Sequence, residues 1–130
     1  MKTSRKRIRM VVEKTDTGFS AYAKEYPVFT TAVTINELID NSYEAASLYF
    51  GKSKIRIQPA NLKFEFDLKQ FFKYYRVINA NFLAGQIGMN PTLLSQYVSG
   101  YKKPSEAQTK KIIIGINKIG RELAEIKLFL

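Results

Sequence analysis

The sequence predicts an α+β protein, a β-β-β-α-β module followed by an all-α domain. Three observations carry this. From Arg7 to Thr34 the residues are largely alternating or β-branched, the signature of strands. After Thr34, and again after Asp67, apolar residues recur at helical spacing. Glycines and prolines fall where turns or helix ends need them. With 45% hydrophobic and 13% aromatic residues in 130, the chain can bury a core rather than remain disordered.

In the first half, residues 7–13 read as a strand, with Ile8, Met10 and Val12 alternating with Arg7, Arg9 and Val11. Thr15-Asp16-Thr17-Gly18 is turn chemistry, with Gly18 available for a positive φ. The alternation of Phe19 to Lys24 then completes a hairpin. Pro27 breaks the run, and Val28 to Thr34 is β-branched and strand-like. Thr34 and Glu37 have capping-box spacing, opening a helix to about Phe50 with Leu38, Ile39, Ala45, Ala46 and Tyr49 inward. Gly51 fits the position after its end. Ile55 and Ile57 make a short strand. Leu62, Phe64 and Phe66 alternate with Lys63 and Glu65, as a further strand or an extended linker. Gln58-Pro59-Ala60-Asn61 is the expected hinge, dividing the chain into domains 1–61 and 62–130.

In the second half, Asp67 and Gln70 are spaced as a capping pair for a helix to about Val77, with Leu68, Phe71, Phe72 and Tyr75 inward. Asn79 caps a second helix that ends near Ile87, followed by Gly88. Asn90 caps a third, with Pro91 at its first position, where the missing N–H costs nothing. Gly100 ends it. Ser105 and Gln108 then open the last helix. Its apolar run, Ile112, Ile113, Ile114, Ile116, Ile119, Leu123, Ile126 and Leu128-Phe129-Leu130, exceeds what one face of a small domain needs. Part is expected to pack on the helix-turn-helix, and the remainder is either further core or a dimer seam, which the N-terminal sheet could equally supply.

Composition narrows the chemistry. Cysteine is absent, which excludes disulfides and thiolate metal sites. Histidine is absent too, which removes the commonest general base and metal ligand. No catalytic residue, metal site or cofactor is expected. Glu13, Asp16, Glu25, Asp40 and Glu44 are the carboxylates that a two-metal nuclease would draw on. No strand carries a pair of them on one face, so they read as solvated surface. There is no run of eighteen apolar residues, so no membrane span is expected. Lys2, Arg5, Lys6, Arg7 and Arg9 make a basic start, but no apolar stretch with a cleavage site follows, and a cytoplasmic location is expected. The net charge is +10, with ten Lys/Arg against three Asp/Glu in residues 68–130. Such a surface suits a polyanion.

Two short helices joined by a glycine turn make a helix-turn-helix unit. Leu83 and Ala84 pack the first helix on the second, Gly88 reverses the backbone, and Leu94 with Val98 or Tyr97 faces inward. The spacing Leu83-Ala84-x-x-x-Gly88-Met89-Asn90-x-x-x-Leu94-Ser95-Gln96-Tyr97-Val98-x-Gly100-x-Lys102-Lys103-Pro104-Ser105 closely resembles the Cro/repressor-type helix-turn-helix family, over about residues 67–120. The resemblance implies a recognition helix starting at Asn90. Pro91 and Thr92 would approach base edges, and Ser95 and Gln96 would read bases by hydrogen bonds. Asn79 and Asn81 would meet phosphate at the start of the preceding helix. Tyr101, Lys102 and Lys103 would meet phosphate beyond the recognition helix. Double-stranded operator DNA is the implied partner, bound by a homodimer or higher homo-oligomer.

The first half, through Gly18-Phe19-Ser20-Ala21-Tyr22-Ala23, Pro27, Thr34, Glu37 and Glu44-Ala45, resembles the N-terminal domain of the HicB antitoxins, a partial ribonuclease-H-like fold. That resemblance covers about residues 7–57. It implies that the module blocks a HicA-like ribonuclease toxin while the second half represses the shared operon. Two alternatives stay open: a stand-alone transcription regulator, and a nuclease or RNA-binding protein.

Overall fold

The computed structural model describes residues 2, 3 and 5–127. The chain forms two compact units, residues 1–71 and 72–130. The architecture is α+β, and among the described residues the strands all lie in the first unit.

The first unit holds β1 (Lys2–Thr3), β2 (Ile8–Thr15), β3 (Gly18–Ala23), β4 (Phe29–Ala32), α1 (Ile35–Gly51), β5 (Ile55–Arg56), a single 3-10 turn (Pro59–Asn61) and β6 (Leu62–Phe66). The main sheet runs β4-β3-β2-β6. Its first three strands are antiparallel neighbours, and β6 lies parallel to β2. β1 and β5 make a separate parallel pair, Lys2 opposite Ile55 and Thr3 opposite Arg56.

The β-β-β-α-β order therefore holds in the main sheet, but its last strand is Leu62–Phe66, not the Ile55–Ile57 segment. Pairing decides this. β6 sets Leu62 opposite Ile8, Phe64 opposite Met10 and Phe66 opposite Val12. The buried Leu62 with the half-buried Phe66 extends the core of β2, while Phe64 stays exposed. The domain boundary expected at 61/62 is corrected to 71/72. Gln58–Asn61 is no hinge. The Gln58 N–H donates to Asn61 Oδ1 (2.6 Å), and Asn61 Nδ2 donates to the Lys6 carbonyl (2.8 Å), fastening the turn within the first unit. Beyond β6, the Asp67 N–H donates to the Val12 carbonyl (3.0 Å). The Gln70 side-chain amide then clamps Lys14, accepting from its N–H (2.9 Å) and donating to its carbonyl (2.6 Å).

Thr34 Oγ1 accepts from the Glu37 N–H (3.2 Å), so α1 starts where expected. Its inward stripe is Leu38, Ser42, Ala46 and Phe50 at four-residue spacing; Ile39, expected inward, is exposed. Gly51 is the last helical residue rather than the one beyond the end. The left-handed position falls to Lys54 (φ 58°). Gly18 serves close approach: a Cβ there would run into the Ala32 carbonyl oxygen and sit 2.7 Å from Val33 Cα. The core gathers Ile8, Met10, Val12, Ala21, Leu38, Phe50, Ile57 and Leu62.

Ser42 sits on the inward stripe of α1, fully buried, and its hydroxyl has no hydrogen-bond partner among the described residues. A buried unpaired hydroxyl costs about 1–3 kcal/mol. Ser42→Ala is thus expected to raise the stability of this unit by about 1 kcal/mol, read as a higher urea midpoint at unchanged slope. A lower midpoint would contradict the assignment.

α2 (Leu68–Tyr74) spans the boundary and stops short of the expected Val77. The second unit contains α3 (Ala80–Ile87), α4 (Pro91–Ser99) and α5 (Glu106–Ala124). α3 packs against both α4 and α5. Leu83, Ala84, Met89, Leu94, Tyr97, Ile112 and Gly115 are buried. Among the described residues, no helix is long and apolar enough to cross a membrane. The expected run Leu128-Phe129-Leu130 lies outside the described residues.

Candidate nucleic-acid interface

Local chemistry sets α3 and α4. Asn79 Oδ1 accepts from the Phe82 N–H (3.0 Å) and holds the first turn of α3. Gly88 ends α3 in the left-handed region (φ 67°, ψ 34°), and the Met89 N–H donates back to the Ala84 carbonyl (2.9 Å). A Cβ would strain that conformation. Asn90 Oδ1 accepts from the N–H groups of Thr92 (2.8 Å) and Leu93 (3.3 Å), so α4 restarts after only Gly88, Met89 and Asn90. Gly100 (φ 81°) closes α4.

With α4 so fixed, Leu94 and Tyr97 turn inward and Val98 is half-buried. Of the two alternatives for the second inward residue, Tyr97 is the buried one. Pro91, Thr92, Ser95 and Ser99 lie on the exposed side, with Gln96 half-buried on its flank. The helix thus presents a small, polar, uncharged surface, with Ser99 Oγ donating to the Gln96 carbonyl (3.2 Å). The side chains of Thr92, Ser95 and Gln96 have no intramolecular hydrogen bond among the described residues, leaving them available to an outside partner.

Asn79 and Asn90 are exposed, but each has its side-chain oxygen committed to a helix cap. Their part is to aim the helix starts, where backbone N–H groups and the helix dipole favour an anion. Asn81 is exposed on the first turn of α3. After Gly100 the chain turns back, the Lys102 N–H donating to the Gln96 carbonyl (3.1 Å). That turn holds Tyr101, Lys102 and Lys103, all exposed, in the connection from α4 to α5.

The expected set therefore gathers on α3, α4 and the turn after α4. Sequence reasoning missed a further strip on α5. Lys110, Lys111 and Lys118 line a groove of about 380 Å³ with Gln86, Ile87, Ala107, Ile114 and Gly115. Their cue in the sequence is lysines at helical spacing within an apolar run whose pattern points to packing instead. Residues 72–130 carry nine Lys/Arg against three Asp/Glu.

The carboxylates do not converge. Glu25 pairs with Arg9, Asp16 lies in the β2–β3 turn, and Asp40 and Glu44 are exposed on α1. Among the described residues no three acidic groups are grouped to hold a metal ion. Compared with family models, with curated proteins and with solved structures, the chain finds no match in any of the three.

Proposed function

We propose that this chain is a cytoplasmic DNA-binding repressor that doubles as an antitoxin. The second unit reads duplex operator DNA with α4 in the major groove, and the first unit covers a small HicA-like ribonuclease toxin. The observation that carries the reading is the pair α3 and α4, joined by three residues, with Pro91, Thr92 and Ser95 facing out, Gln96 half-exposed on their flank, and lysines beyond. A helix of this kind fits the major groove, about 12 Å wide, and its first turns meet base edges. The toxin-binding half of the reading rests on the element order of the first unit. Exposed Ile114, Leu123 and Ile126 on and just beyond α5 support a homodimer, which would span half-sites about 34 Å apart.

Two substitutions separate reading from gripping. Lys102→Ala is expected to weaken binding to every duplex and to flatten the salt dependence by about one unit. Gln96→Ala is expected to relax preference at a single base pair, with a loss of about 1–3 kcal/mol in discrimination. Anisotropy titrations with DNA from upstream of the gene, against scrambled DNA at several salt concentrations, measure both. Equal losses on both DNAs for both variants would refute α4 as the reader.

A further inference from the structure

The first unit is electrically divided. Residues 1–12 and 45–64 together contain nine Lys/Arg and no Asp/Glu, whereas the rest of residues 1–71 contains three and eight. The fold brings the two basic stretches side by side. β1 pairs with β5, Asn61 Nδ2 holds the Lys6 carbonyl at 2.8 Å, and Ile8 stands opposite Leu62. The segment leading into β2 therefore runs along the segment leading into β6, with Lys52 and Lys54 in the turn just before.

Three other cations of this unit are engaged, while Lys63 and Lys69 are exposed. Arg9 is held by Glu25, Lys24 by Glu65, and Lys6 lies over the rings of Tyr26 and Phe50. Arg5, Arg7, Lys52, Lys54 and Arg56 are exposed, and none has an acidic or hydrogen-bonding side-chain partner among the described residues. Complementing the C-terminus of α1 accounts for Lys52 and Lys54 at most, since that effect fades within a turn. It leaves Arg5, Arg7 and Arg56 unexplained.

We propose that this pole is a second polyanion site, one that binds the sugar-phosphate backbone of nucleic acid independently of α4. Two features select that ligand. Residues 5–7 and 52–61, which hold the five cations, include no exposed large apolar side chain, and Leu48 and Phe64 are the exposed ones in the flanking basic stretches. The surface around the cations themselves therefore lacks the anchors that a protein interface or a lipid bilayer requires. Three of the five cations are arginines, whose planar forks bond phosphate oxygens in pairs.

The test uses the full chain with Arg5, Arg7 and Arg56 all replaced by Gln. Binding is measured on a non-operator duplex and on an unstructured RNA strand across a salt series. The slope of log K against log salt is expected to fall by about 2–3 units on the duplex and about 2 on the single strand. The corresponding Arg→Lys triple keeps both slopes. A loss on one nucleic acid alone identifies which of the two the pole serves. If instead α4 is not a DNA reader, Gln96→Ala and Lys102→Ala leave duplex binding untouched while the Gln triple still lowers it. Amide-shift mapping of the unaltered protein with a strand of about 12 nucleotides gives a check free of folding effects. Shifts at residues 5–7 and 52–56 support the pole. Unchanged slopes in the Gln triple, or shifts confined to residues 72–127, overturn it.

Discussion

A fragment ending at Asn61 is expected to show no cooperative melting, whereas one ending at Phe71 melts as a folded unit. The shorter piece contains the β2–β3–β4 meander and α1, yet it lacks the parallel partner of the central strand. Five register pairs, Ile8–Leu62 through Val12–Phe66, would be lost. So would the Asp67 bond to Val12 and both Gln70 bonds to Lys14. Leu62 is buried in the core, and removing it uncovers Ile8 and Met10, both fully buried. A unit of about 60 residues buries only around 60% of its unfolded surface, so it has no margin for losing a strand. Circular dichroism and amide dispersion of the two fragments decide this. A sharp melt of the 1–61 fragment at the same temperature as the 1–71 fragment would show β6 to be dispensable.

Two glycines on one helix are expected to respond to substitution with opposite signs. A Cβ at Gly115 would collide with Ile87 Cγ2 and lie 3.3 Å from Leu83 Cδ1, because α5 crosses α3 there. Gly115→Val forces a branched side chain into that crossing. Overpacking of this kind costs about 1–3 kcal/mol, and more where the neighbours are themselves packed. Ile87 has to give way and the fully buried Leu83 leaves little room beside it, so the strain is expected to reach α3 and the aim of α4. Gly120, five residues on, has nothing within 4 Å of a built Cβ. Gly120→Ala is expected to stabilise by about 0.8–1.0 kcal/mol through helix propensity alone. Thermal melts of the two variants, followed by DNA titration, check the pair. A Gly115→Val protein as stable as its parent would mean that α3 and α5 do not meet at this point.

What was legible in the sequence was local. The caps at Thr34, Asn79, Asn90 and Ser105 each bond an N–H two or three residues away, so short spacing reveals them. Gly88 and Gly100 likewise announce helix ends because only their own backbone is at issue. What escaped depended on distant partners. Leu62–Phe66 looked as much like a linker as a strand, since its neighbour β2 lies more than fifty residues earlier. Gly18 carries turn chemistry in the sequence, but the approach of β4 is what excludes a side chain there. Ser42 replaced Ile39 on the inward face of α1 because the packing angle of the helix, set by the sheet, decides which stripe is covered. Among the candidate site residues, exposure followed the helical pattern, but the capping duty of Asn79 and Asn90 competes with direct contact, which spacing alone did not reveal.

The pairing of β2 with β6 also governs how this protein emerges from the ribosome. All residues of hairpin β2–β3 are present once Ala23 is made, and once they clear the exit tunnel the hairpin closes within microseconds. Its apolar face then waits for Leu62, at a synthesis rate of about 5–20 residues per second. For some seconds the nascent chain carries a two- or three-stranded ribbon with one edge open, the condition that invites strand exchange between neighbouring chains on a polysome. The basic stretch ahead of β2 tempers that hazard, since nascent chains that each carry Arg5, Lys6 and Arg7 next to that edge repel one another while it awaits its partner.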